Sequence, residues 1–227
     1  MEILFEINWD ILKAVLIIIG IDLILGGDNA VVIAMASRNL PKSLQNKAII
    51  LGTTFAILFR FMLATIAIYL LTIPYVQLIG GVFLFFIAIQ LLLQKSDESH
   101  KNISASATMF GAVKTIIIAD VVMGFDNVLA ISAASNQNIY LIMFGLIVSV
   151  PIIIFGSKLI LHFMNKYPVI IYFGASLLAY TSAELILKEV KLQPFILHLP
   201  LVHLIFPLVA IIFVVLIGYT SRKKEAY

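Results

Sequence analysis

Ile21–Ser37 reads IDLILGGDNAVVIAMAS, an apolar stretch interrupted by Asp22, Asp28, Asn29 and the glycine pair Gly26-Gly27. It returns without a gap at residues 119–135 as ADVVMGFDNVLAISAAS. Asp22, Gly26, Asp28, Asn29, Ile33, Ala36 and Ser37 match Asp120, Gly124, Asp126, Asn127, Ile131, Ala134 and Ser135. Two copies of so specific a pattern point to duplication rather than chance. At the same offset Arg60 meets Lys158, both basic residues inside apolar runs. With a small gap, Gln90 stands opposite Glu184.

The chain around these stretches has 227 residues, 62% hydrophobic and 12% charged, with a mean hydropathy of +1.11. Soluble domains average about 45–50% apolar and about 25% charged residues. The apolar runs here are long and hydrophobic on all sides, so the chain is expected to lie in the lipid bilayer from end to end. There is no cysteine, which excludes disulfides, thiolate metal sites and a cysteine nucleophile. A net charge of +3 spread along the loops sets nucleic-acid binding aside. Ala34-Met35-Ala36 has the look of a signal-peptidase site, but Glu2, Glu6 and Asp10 precede the run and Asp22 and Asp28 lie inside it. A cleaved leader has the opposite charge pattern.

A spanning helix needs roughly 20 mostly apolar residues. Segments near 11–36, 47–72, 75–93, 110–135, 139–163, 168–187 and 200–219 qualify, with Lys95–Ser106 as the one sizeable loop. The expected fold class is therefore an all-α integral membrane protein of about seven transmembrane helices in a single transmembrane domain over residues 1–227. Repeat 1 covers about 11–93, repeat 2 about 110–190, and an extra helix about 200–219. Three helices per repeat force the second copy to enter the membrane inverted, a construction that recurs in transporters. Arg38, Lys42, Lys47, Lys95, Lys101, Lys166 and Arg222-Lys223-Lys224 fall on one side, while Lys13, Lys188 and Lys191 fall on the other. The basic side is cytoplasmic by the usual bias, which puts the N-terminus outside and the C-terminus inside.

Asp22, Asp28, Asp120 and Asp126 fall in the middle of their spans. A carboxylate there costs roughly 2.5–3.5 kcal/mol, so four cost on the order of 10 kcal/mol without compensation. In an unbroken helix, residues six apart point about 120° away from each other and lie about 9 Å apart along the axis. A break at Gly26-Gly27, and another at Gly124, would turn both acids of each copy, the Asn29 or Asn127 amide and freed carbonyls toward one point. That all-oxygen set, Asp22, Asp28, Asn29, Asp120, Asp126 and Asn127, suits a divalent cation such as Mg²⁺, Ca²⁺ or Mn²⁺ as substrate, with no resident cofactor. Met123 would add a soft thioether favouring Mn²⁺. Arg60 and Lys158 read as counter-charges or snorkelling residues. Glu184 reads equally as reaching toward the interface or as a functional acid, His162 and His203 as interfacial or core residues, and Met35 as packing rather than a ligand.

The repeated Asp-x-x-x-Gly-x-Asp-Asn pattern, Asp22 to Asn29 and Asp120 to Asn127, resembles the TerC family of integral membrane proteins, its short YjbE-like members above all. The resemblance covers nearly the whole chain. It implies a bacterial plasma-membrane protein of the LysE-like transporter grouping, associated with manganese efflux and, by name, with tellurium resistance. It also implies a metal-binding role for those same six residues. Many relatives carry glutamate where Asp22 stands and a small polar residue where Gly124 stands, which bears on ion selectivity.

Together these readings lead to an expectation of Mn²⁺ efflux by alternating access, with protons competing for the vacated site. Two other classes stand beside it. An intramembrane aspartyl protease uses two acids in a Gly-x-Gly-Asp setting, which neither Leu25-Gly26-Gly27-Asp28 nor Met123-Gly124-Phe125-Asp126 provides. A non-transporting membrane partner that binds metal and supports metalation of other proteins would use the same ligands.

Overall fold

In a computed structural model, the described residues are 9–71, 73–94, 108–135, 138–196, 198–199 and 201–223. They form helices α1 (Trp9–Leu25), α2 (Gly27–Ser37), α3 (Lys42–Leu71), α4 (Val76–Leu93), α5 (Met109–Ala134), α6 (Ile139–Lys166), α7 (Val169–Leu187), α8 (Gln193–Ile196) and α9 (Val202–Lys223). No strand occurs among the described residues.

Each of the seven apolar segments coincides with helix. Among the described residues, five helices, α3, α4, α6, α7 and α9, are long and apolar enough to cross a membrane, and the bent pair α1–α2 makes a sixth. Helix α5 is long as well, with 26 residues, and takes in Phe125 and Asp126, whose side chains lie outside the described residues.

The expected break in the first copy is present. Helices α1 and α2 meet at an angle of 50° around Gly26, whose φ of −102° and ψ of 10° lie outside the helical region. Space dictates glycine here: a β-carbon would stand 2.5 Å from the Asp22 carbonyl oxygen, which accepts the Gly26 N–H at 2.8 Å. The expected break in the second copy is absent, because α5 runs unbroken through Gly124.

Helix α2 is buried from Asn29 to Ser37, as befits a stretch apolar on every side from Ala30 to Ala36. It forms the centre of the main apolar core with Leu84, Leu91, Ile116, Leu178 and Val214 from α4, α5, α7 and α9. Leu58, Ile79, Phe86, Phe155 and Phe173 point outward, the distribution expected where the surroundings are lipid. Asn138 starts α6 by accepting the N–H groups of Tyr140 at 3.1 Å and Leu141 at 3.3 Å, which satisfies two orphan donors of the first turn.

Candidate functional site

Asp22, on the last turn of α1, is fully buried, and Asp120 on α5 is 7% exposed. Between them lies Arg60 of α3, 1% exposed. Its Nη1 donates to Asp22 Oδ1 and its Nη2 to Asp120 Oδ1, an ion-paired trio with one member from each of three helices. A buried carboxylate persists when it is paired and hydrogen-bonded, and Arg60 provides this for both acids. Gly124 makes room for the guanidinium: a β-carbon there would lie 3.3 Å from Arg60 Nε. The glycine that resembles a hinge in the sequence is a seat for an arginine.

The second half of the site surrounds the break. Asp28, in the first turn of α2, accepts a hydrogen bond from Thr181 Oγ1 of α7 at 3.2 Å. An acid there also faces the positive end of the helix dipole. Asn29 and Asn127 are both buried and both approach Gly26, with amide nitrogens 3.1 Å and 3.6 Å from where its β-carbon would stand. Turning either amide over exchanges nitrogen for oxygen in the same space.

Several buried polar atoms have no hydrogen-bond partner among the described residues: Asp22 Oδ2, Asp28 Oδ1, both amide atoms of Asn29, Asp120 Oδ2 and Asn127 Nδ2. Buried polar atoms are rarely left so, and this many together mark a place built to hold something polar. No three His, Cys, Asp or Glu side chains among the described residues gather as a ready-made metal site. Arg60 stands between two of the acids, and the side chain of Asp126 lies outside the described residues.

The remaining candidates fall elsewhere. Lys158, the counterpart of Arg60, is exposed on α6. Glu184 is half-buried on α7, and its counterpart Gln90 is exposed on α4. Met123 packs in the main apolar core, so its thioether serves packing and the expected softening of the site is not supported. Met35 is fully buried against Gly174, in keeping with packing. His162 and His203 are exposed, the former edge-on to Phe163 with ring centres 5.8 Å apart. Sequence reasoning passed over Thr181, whose signal is a hydroxyl pair, Thr181-Ser182, inside an apolar helix.

Apolar helices around a buried, charged centre define a multi-pass integral membrane protein. The model of the integral membrane protein TerC family matches residues 7–226, and the chain belongs to that family. It is 48% identical over 216 residues to "Uncharacterized membrane protein YjbE" of Bacillus subtilis (strain 168), a match covering 95% of this chain and 98% of that one. It is 30% identical over 132 residues to "Uncharacterized membrane protein YkoY" of the same organism, covering 56% of this chain and 39% of the relative. With "UPF0053 protein YegH" of Escherichia coli (strain K12) the identity is 25% over 187 residues, covering 74% and 35%. No solved structure matches the chain.

Proposed function

We propose that this protein carries a divalent metal cation, Mn²⁺ first among them, out of the cytoplasm across the bacterial plasma membrane by alternating access. In this reading α5 is also a span, making seven, with the N-terminus outside and the C-terminus cytoplasmic. Helices α1–α2, α3 and α4 form one repeat and α5, α6 and α7 its inverted copy. The packing supports this symmetry. Helix α3 packs on α5 while α6 packs on α1 and α2, so the second helix of each repeat lies on the first helix of the other. Ile18 and Ile116, matched at the offset of the aspartates, press into Gly145 and Gly52 respectively. The third helices α4 and α7 pack on each other, where Ser182 Oγ donates to the Gly81 carbonyl at 2.7 Å.

The observation that carries the reading is the set of buried acid and amide groups, from both repeats, converging on a broken helix. Transporter sites lie at such places. The cation is cargo, held by oxygen donors of the type that Mg²⁺, Ca²⁺ and Mn²⁺ prefer. Transport is proposed rather than catalysis: the guanidinium between Asp22 and Asp120 is the opposite of a protease dyad, in which two carboxylates share a proton. Protons competing for the vacated carboxylates would couple efflux to proton entry.

Purified protein in liposomes with a metal-sensitive dye tests this. Mn²⁺ flux is expected from the wild type and its loss from the double variant Asp28→Asn, Asp126→Asn, with Mg²⁺ and Ca²⁺ as competitors. Flux insensitive to a pH gradient at fixed membrane potential would remove proton coupling. No flux of any of these ions from folded protein would replace transport by a membrane partner that binds metal and supports metalation of other proteins.

A further inference from the structure

We propose that Arg60 is a tethered cation holding the place of the cargo, and that it sets the preference of the site for divalent over monovalent ions. Its guanidinium joins Asp22 of one repeat to Asp120 of the other, and an incoming ion must displace it from at least one of them before both repeats can share that ion. This rests on the transport reading above.

Arg60 is incompletely held for a purely structural arginine. A guanidinium has five N–H donors, yet Arg60 spends its side-chain bonds on one oxygen of each acid, and its Nε has no partner among the described residues. Each carboxylate likewise gives one oxygen and keeps Oδ2 without a partner among the described residues, in side chains that are 0% and 8% exposed. A buried carboxylate so placed has unused acceptor capacity that a metal ion would satisfy. Beside it, the bare Gly124 backbone lets the guanidinium lie close against α5, where a β-carbon would stand 3.3 Å from Arg60 Nε.

Charge makes the exchange selective. Attraction to a carboxylate scales with the charge of the cation, so Na⁺ or K⁺ offers the acids no more charge than the arginine already does, while Mn²⁺ offers twice as much. The device is also one-sided. Lys158, at the matching place in the second repeat, is exposed, so of this matched pair Arg60 alone reaches the acids among the described residues, and the two repeats are not interchangeable. When cargo leaves, Arg60 is already attached to the protein and returns without a search through solution, which keeps the emptied acids from holding the ion back.

The test is Mn²⁺ binding and Mn²⁺ flux by the full chain in lipid, for the wild type, Arg60→Gln and Arg60→Lys, in sodium and in choline buffer. Apparent affinity is reduced by the fraction of molecules in which Arg60 blocks the site. Arg60→Gln is therefore expected to bind Mn²⁺ about tenfold more tightly, to become sensitive to Na⁺ where the wild type is not, and to lose flux as release slows. Lysine keeps the charge but not the two-pronged geometry, and Arg60→Lys should bind at an intermediate affinity. A structural arginine would give variants weakened in both binding and flux, and unchanged or weaker Mn²⁺ binding in folded Arg60→Gln overturns the proposal. If that variant does not fold, Arg60→Lys decides on the same criterion, and failure of both to fold assigns Arg60 to architecture and overturns it too. A wild type that binds none of Mn²⁺, Mg²⁺ or Ca²⁺ defeats the transport reading itself, whereas wild-type binding without tightening defeats this proposal alone.

Discussion

Three glycines separate what the residue scale controls. At Gly26 a methyl group would meet a backbone oxygen, Asp22 O, at 2.5 Å, and backbone cannot give way as a side-chain tip can. Gly26→Ala should destabilise the protein by about 1–3 kcal/mol, the usual range for overpacking. Its neighbour Gly27 has nothing within 4 Å of its β-position. Gly27→Ala should be neutral or slightly stabilising, since alanine loses less entropy in a helix than glycine. Gly124→Ala would press on Arg60 Nε at 3.3 Å, and a small shift of the guanidinium relieves it at a cost of roughly 1 kcal/mol. Thermal unfolding of the three variants in the same detergent, followed by circular dichroism, checks this order. Equal losses at Gly26 and Gly27 would mean that the break is set by something other than the close approach to Asp22.

At the scale of elements, the two ends of α4 are tied to different halves of the molecule. Its last turn meets the first half, where Arg38 Nη2 donates to the Gln94 carbonyl at 2.6 Å. Its first turn follows Tyr75, a non-glycine residue with φ of +67°, and is capped by Glu189 from the segment after α7. The Glu189 carboxylate accepts the N–H groups of Tyr75 at 3.1 Å and Leu78 at 3.4 Å. Desolvation opposes its ionised form, but the N–H groups of Lys191, Tyr75, Leu78 and Gln77 outweigh it and hold the carboxyl below the usual glutamate range. A lowered folded-state pKa stabilises above the unfolded value, and the contribution disappears as pH falls through the folded value. Hydrogen exchange in the first turn of α4 should therefore accelerate as pH drops below the ordinary glutamate range, once corrected for intrinsic rates. Glu189→Gln should show the faster exchange already at neutral pH and lose the acid-induced change. An identical pH profile in that variant would show that another group governs this end of α4.

At the scale of the whole molecule, the proposed inverted symmetry is a statement about sides of the membrane. The chain has no cysteine, so single cysteines report without background. If α5 crosses, cysteines at Lys42 and Asn165 react with an impermeant reagent from the cytoplasmic face and one at Val190 from the outside. If α5 does not cross, the Asn165 and Val190 positions exchange sides while Lys42 stays where it was. Labelling in whole cells and in inverted vesicles separates the two arrangements, and with the second one the inverted repeat is lost.

Local chemistry made much of this legible in advance. Apolar runs, their lengths and the recurrence of Asp-x-x-x-Gly-x-Asp-Asn are properties of neighbouring residues, so the helices, the buried acids and a counter-charge role for Arg60 could be read from the chain. Tertiary structure decided which of two similar patterns does what. Glycine disfavours helix by only about 1 kcal/mol, a bias that surroundings override: the chain breaks at Gly26, while α5 continues past Gly124 with Arg60 against it. Arg60 turns in and Lys158 turns out, though both are cations in apolar helices. Thr181 reaches Asp28, and Glu189 reaches the start of α4, across more than 100 residues of chain. Contacts at such separation arise from how helices pack, and nothing in the residues beside Thr181 or Glu189 names the partner that folding brings to them.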